Sequence, residues 1–242
     1  MCRLALSGGG AVAFSDSSAV DRGWPEQVHT VTRCVRTSKR RQGVPGDIVL
    51  AARLLFERDG VKKTTLAAVA KEAGITRTLL YYYFEDKDAV VQAVVEDYVE
   101  DIVESVATWN EQRVFGNTPD ELRKCVVTFR HVLYMSSGEP RPMFSVLDEL
   151  GMRDEFAARA VREAVDCICR NIVSEYTAYR IVEIDMVPET FALVLYGVVG
   201  LMKAKPDITD DEISRLIAQT LRVDMRVLQP PPWSELPRGD GV

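Results

Sequence analysis

Between Thr65 and Lys87 the chain crowds together side chains suited to holding anions and reading hydrogen-bonding edges. Tyr81, Tyr82 and Tyr83 stand in succession, preceded by Thr76, Arg77 and Thr78 and followed by Phe84 and Lys87. A hydroxyl donates one hydrogen bond, an ammonium three, and a guanidinium offers a planar fork that fits paired acceptors. Such a cluster can be buried core, a stacking platform, or a set of donors aimed outside the protein. Charge favours the last. From Arg33 to Lys87 twelve basic residues face six acidic ones, a net of +6, so the remainder carries −12 to give the chain its −6. A basic module on an acidic body suits a protein of which one part meets a polyanion.

The elements that must position these residues read as helices throughout. Residues 1–44, rich in Gly, Ser and small residues, have no sustained period and read as a flexible N-terminal extension. From Asp47 the apolar residues Ile48, Ala52, Leu55 and Phe56 make a core-facing stripe, with Arg53, Glu57 and Arg58 outside and Gly60 as the stop. Thr64 and Thr65 offer a cap to a second helix with Leu66, Val69, Ala70 and Ala73 inward, broken at Gly74. Thr76 caps a third, ending near Tyr83, and Asp86 a fourth and longer one whose stripe is Val91, Val95, Tyr98, Ile102, Val106 and Trp109. Further helices are expected from 118 toward 136, over 143–150, 154–180 and 189–202, and from 210 to about 228 behind Thr209.

Two short helices joined by a tight turn after a glycine are the parts of a helix-turn-helix, whose second helix enters the major groove of DNA. At about 100° per residue, with Leu80 inward, Thr76 and Phe84 share its side while Thr78 and Tyr82 point the opposite way. Tyr81 takes one flank and Leu79 the other. A tyrosine at such a rim packs its ring on the protein and donates its hydroxyl to a phosphate oxygen.

Over residues 47–93 the sequence resembles the DNA-binding head of the TetR family of bacterial transcriptional regulators. The positions that carry the resemblance are Ala51-Ala52, Leu55-Phe56, Gly60, Thr64-Thr65, Val69-Ala70, Ala73-Gly74-Ile75, Tyr81, Tyr83-Phe84 and Lys87. It implies an all-α homodimer: a three-helix head with a helix-turn-helix and a larger helical domain that binds a ligand and dimerises. It further implies phosphate contacts from Thr65, Tyr81, Tyr83 and Lys87 and base-edge reading by Arg77, Thr78 and Tyr82. At Thr78 and Leu79 the family more often has Gly-Thr; the apolar Leu79 can meet a thymine methyl instead. Lys39, Arg40 and Arg41 are either a minor-groove arm or a solvated tail. The organisation expected is an extension over 1–44, a DNA-binding domain over 45–90, a ligand-binding and dimerisation domain over 91–228 and a tail over 229–242.

In the body, Leu193, Val194, Gly197, Val198 and Leu201 form one apolar stripe and Ile213, Leu216, Ile217, Thr220 and Leu221 another. Both are expected to pack against a second copy as a four-helix bundle. Trp109, Phe129, His131, Tyr134, Met135, Met143, Phe144, Tyr176 and Tyr179 are the candidates for a pocket that takes a small apolar or aromatic effector. The same residues also suit a plain core.

Other chemistries find little support. There is no Gly-rich phosphate loop, nucleophile elbow, H-x-x-x-H pair or readable carboxylate spacing, so no catalytic residue, metal or cofactor is expected. Five cysteines without a C-x-x-C pair match neither a disulfide framework nor a zinc site and point to a reducing cytoplasm. No run of eighteen apolar residues suggests a membrane span. The rival readings are a DNA-binding regulator without a small-molecule signal and, behind it, a helical ligand carrier or enzyme. The partners expected are a (pseudo)palindromic DNA operator, a second copy and an effector.

Overall fold

The computed structural model describes residues 42–113, 118–173 and 184–223. Tyr176, Tyr179, the Lys39-Arg40-Arg41 run, nearly all of the expected extension and the tail lie outside them. Every regular element among the described residues is helical.

Three helices make the head. Helix α1 (Gly43–Asp59) starts four residues before the expected Asp47. Pro45 falls in its first turn, where a backbone donor would have no intrahelical partner anyway, so the chain can coil ahead of the apolar stripe. Its inner face is the expected one, and Gly60 ends it at φ 88. Helix α2 (Leu66–Glu72) is capped by Thr65, which accepts from the Ala68 amide. Thr64, the other candidate cap, is buried and donates its hydroxyl to the Gly60 carbonyl at 2.8 Å. The turn runs through Gly74 at φ 68, with the Ile75 amide returning to the Ala70 carbonyl. A left-handed residue here is what glycine adopts without strain. Helix α3 (Arg77–Tyr83) follows, capped by Thr76, and Asp86 caps α4 (Lys87–Gln112) through the Ala89 amide.

The body packs around α4. Helix α5 (Thr118–Leu133) and α7 (Arg153–Ile168) lie against it, α6 (Met143–Leu150) joins them, α8 (Val187–Ala204) rests on α7, and α9 (Asp210–Thr220) rests on α5. Helix α5 ends at Leu133 rather than near 136 because the chain folds back: Tyr134 pairs with Pro140, and the Arg141 amide returns to the Leu133 carbonyl. Helix α7 is regular only to Ile168 and passes into a π-helical turn, Cys169–Val173. Helix α9 carries the anticipated start in full, a capping box between Thr209 and Glu212, and stops at Thr220, short of 228. One apolar core runs from head to body: Ile48, Ala52, Phe56, Val69 and Leu80 connect through Val90, Val94 and Tyr98 to Val126, Leu147 and Phe156. Leu80 is fully buried, so α3 is held to the head along one line only.

Candidate nucleic-acid interface

Seven residues cannot make a stable helix on their own; α3 persists because Thr76 satisfies its first turn and Leu80 fills the head's core. That single anchor decides what the remaining residues do. Tyr82, opposite Leu80, is 79% exposed, and Arg77, Thr78, Tyr81 and Tyr83 are exposed beside it. Leu79 and Phe84 are half-buried. Thr78 and Tyr82 are one turn apart, as are Arg77 and Tyr81, so each pair shares a strip of the surface. The Tyr82 and Tyr83 rings meet edge to face, centroids 5.0 Å apart, which limits how far either can swing. Thr65 and Thr76 are exposed but occupied: each hydroxyl oxygen accepts a helix amide and keeps only its own proton to donate.

Lys87 is less free than its place at the start of α4 suggests. Its ammonium donates to the Val61 carbonyl at 2.6 Å, leaving two of three protons for anything outside. Lys62 and Lys63, which sequence reading counted as charge without assigning them a role, are exposed on the turn before α2. Their signal was the basic run itself.

Arg53 is a correction of another kind. The stripe put it on the outer face of α1, yet it ties α1 to α4. Its Nη1 lies 2.6 Å from Asp97 and 2.7 Å from Asp101, its Nε 3.1 Å from Glu57, and its guanidinium stacks 4.6 Å from the centre of the buried Tyr98 ring. Burial opposes the charge on Arg53, but Asp101 and Asp97 more than offset this and hold its pKa above the ordinary value. Burial also pushes the Tyr98 hydroxyl well above the usual phenol range, with the Glu57 charge adding to it. The partners are 44 and 48 positions away in the chain, beyond the reach of a periodicity argument.

The expected effector residues that are described differ in exposure and partners. Trp109 is tied to the Glu121 carbonyl at 2.9 Å, Met143 is buried, Phe129 and Tyr134 are half-buried, His131 and Met135 are exposed, and Phe144 lies beneath the Arg153 guanidinium at 4.8 Å. Two of them, His131 and Met143, help line a cleft of about 400 Å³ where α1 meets the body, alongside Arg53, Glu57, Asp101 and Arg141. The cysteines carry no redox pair among the described residues. Cys125, Cys167 and Cys169 are not joined in disulfides, the Cys167 sulfur accepts from the Asn171 side-chain amide at 3.4 Å, and burial pushes the Cys125 thiol up to about 12.

The two apolar stripes divide. Val198 and Ile213 are buried within the chain, so they belong to its own core. Leu193, Gly197, Leu201, Leu216 and Thr220 are exposed, with Val194, Ile217 and Leu221 half-buried at their margins. Added Cβ atoms at Gly197 or Gly200 would meet nothing within 4 Å. Helix α8 has 18 residues and a mean hydropathy of 1.4, long and apolar enough to cross a membrane by length and composition, a property sequence reading did not assign to it.

Comparison with known proteins follows the same division. Residues 48–94 match the family model of the bacterial regulatory proteins, tetR family. Over 59 residues the chain is 41% identical to TtgR, an HTH-type transcriptional regulator of Pseudomonas putida, covering 24% of this chain and 28% of that one. Over 47 residues it is 43% identical to BepR, an HTH-type transcriptional repressor of Brucella suis, covering 19% and 22%. The chain thus matches 28% and 22% of these two relatives' lengths. The fold extends further: the structure of RolR in complex with its ligand resorcinol superimposes with a TM-score of 0.50 over 79% of this chain and 96% of that one, at 17% identity. Over residues 48–94 the chain is therefore similar to the bacterial regulatory proteins of the tetR family, and its described residues share the all-helical fold of RolR.

Proposed function

We propose that this protein is a homodimeric transcriptional regulator, a repressor, that binds a (pseudo)palindromic DNA operator and leaves it when a small apolar or aromatic effector binds the body. The observation that carries the reading is the open side of α3: its inward line is filled by Leu80, and the opposite line offers a guanidinium, a threonine and three tyrosines to solvent. A B-DNA major groove, about 12 Å wide, admits such a helix. Arg77, Thr78, Leu79 and Tyr82 would read bases, and Thr65, Thr76, Tyr81, Tyr83 and Lys87 would hold phosphates, fixing the register. The name of BepR, a repressor, supports the direction of control.

The pairing of two heads is supported by α8. A helix whose Leu193 is 69% exposed, and whose small residues leave open space, calls for a cover. A second copy supplies one through α8 and α9 and sets two α3 helices about one DNA turn, roughly 34 Å, apart. Helix α4 runs from head to body in one piece, so an effector with higher affinity for a splayed dimer would move the heads off that spacing. Resorcinol, the aromatic ligand of RolR, is the kind of molecule such a body takes.

Retention of the purified chain on duplex DNA across a salt series tests the reading. A protein neutralising six to ten phosphates should lose about a thousandfold in affinity or more between 50 and 200 mM salt. Retention that ignores salt, or none at all, would sink it. Selection of bound fragments from genomic DNA would then give the operator.

A further inference from the structure

Where body and head meet, one carboxylate does something that helix patterning does not require. Glu149, in the last turn of α6, reaches the turn between α1 and α2 and accepts two successive backbone amides: Val61 to Oε2 at 2.8 Å and Lys62 to Oε1 at 2.7 Å. On the other side of the same residue, the Lys87 ammonium holds the Val61 carbonyl at 2.6 Å. The turn is therefore pinned from α6 and from α4 together, while Thr64 closes it from within. The fit is tight: a Cβ on Gly60, already at φ 88, would lie 3.0 Å from Glu149 Oε2. The Lys62 and Val61 amides, and then the charges of Lys62 and Lys87, hold the Glu149 carboxyl below its ordinary pKa, so it is ionised at neutral pH.

We infer that Glu149 is a positioning residue through which the body sets the pose of the head's phosphate-facing turn, an inference that rests on the DNA-binding reading above. The turn it grips carries Lys62 and Lys63, leads into Thr65 at the start of α2, and is tied to Lys87 at the start of α4. Charge-assisted bonds to two adjacent amides fix both position and tilt, which a single contact does not. The lever behind the grip is short and stiff. Helix α6 is eight residues, about 12 Å, long; Met143 at its first turn lines the cleft shared with α1, and Glu149 stands at its other end. A shift of α6 at the cleft reaches the turn without passing through α4.

The sign of one substitution separates this from a bystander role. Glu149→Gln keeps the size but removes a negative charge beside a surface that binds a polyanion and turns an NH2 group toward a backbone N–H. Simple electrostatics makes that variant bind DNA more tightly; loss of positioning makes it bind less tightly. The expected result is about a tenfold loss of affinity for duplex DNA at fixed salt, with the salt slope unchanged because no phosphate contact is removed. Amide exchange at Val61 and Lys62 should be faster than in the parent. Gly60→Ala, which presses on the same joint with the carboxylate intact, should also lose affinity. Gel filtration and the unfolding midpoint check that both variants stay folded. Equal or tighter DNA binding by Glu149→Gln, with exchange at the two amides unchanged, overturns the inference and leaves the DNA-binding reading standing. Failure of the parent chain to bind duplex DNA in a salt-dependent way overturns the reading, and the inference falls with it.

Discussion

The outward sides of α3 and α8 are both left open by the chain's own packing, and they differ in nearly everything else. Helix α3 is seven residues held by one fully buried leucine, with its free side made of hydroxyls and a guanidinium. Helix α8 is eighteen residues with Val198 and Met202 buried, and its free side is Leu193, Tyr196, Gly197, Gly200 and Leu201. Exposure alone therefore says little about what a surface meets; the side chains choose the occupant. A guanidinium and hydroxyls, three of them carried on exposed tyrosine rings, suit a hydrated anionic groove lined with phosphate oxygens. Leucines flanking small residues suit another helix at close range. If that contrast is right, each face should fail in its own way when broken.

The largest effect is expected from α8. Leu193→Asp together with Leu201→Asp places two charges where a second copy should pack, leaving the buried line of the helix untouched. A head that no longer has its twin loses the gain from linked binding, about a hundredfold to ten-thousandfold. Sedimentation should then find a monomer, and duplex DNA affinity should drop by a factor in that range. A variant that remains dimeric, or a parent chain that is monomeric at micromolar concentration, would put the partner of α8 elsewhere, with lipid the next candidate given its length and hydropathy.

Next comes the inward side of α3. Leu80→Ala empties a site with no exposure in the head's core and should cost about 2–5 kcal/mol of head stability, read as a lower midpoint in urea. The DNA-facing residues are untouched by the change, so loss of binding here tests the anchor rather than the face. Dimerisation through α8 should survive it. Independent failure of the two regions is the outcome that the comparison demands.

The contrast between the two faces also bears on what could be read from residues alone. Caps were legible because they are local: Thr65, Thr76, Asp86 and Thr209 each bond within three residues. The line through Leu80 was legible for the same reason, since one helix turn relates every residue on it. Where a helix ended was less so. The fold-back at Tyr134 and the π-helical turn at Cys169 end regular helix before the positions that the apolar spacing suggested. The joints between head and body were not legible at all. Arg53 with Asp97 and Asp101, and Glu149 with Val61 and Lys62, join positions 44 to 88 apart, and a charged residue on a stripe's outer side looks the same whether it meets water or a partner. The aromatic and methionine set suited both a pocket and a plain core, and composition alone did not assign Trp109 its bond to the Glu121 carbonyl or Phe144 its place beneath the Arg153 guanidinium.

Smaller effects sharpen the reading of the α3 side. Lys87→Ala removes a phosphate donor that also holds the Val61 carbonyl, so it should weaken binding to every sequence and lower the salt slope by about one. Tyr83→Phe removes a single hydroxyl and should weaken binding to every sequence to a lesser degree, roughly 1 kcal/mol, with no change in slope because no charge is lost.

Thr78→Ala should have the least effect on affinity and the most particular one. Thr78 is exposed, one turn before Tyr82 on the line opposite Leu80, and its hydroxyl is free of the capping duty that occupies Thr76. A residue there can reach a base edge without being needed for docking, so its loss should leave general DNA binding and its salt slope nearly intact. Preference among operator variants should change by a few-fold at one or two base pairs in each half-site. Comparing fragments selected by the parent and by Thr78→Ala measures this directly. Identical preferences would mean that α3 is turned about its axis relative to the groove, with Arg77 and Tyr81 facing the bases and Thr78 facing water. A uniform loss across all sequences would instead move Thr78 to the phosphates. Either outcome corrects the rotation of the helix while leaving its buried line, and the different character of the α8 surface, as they are.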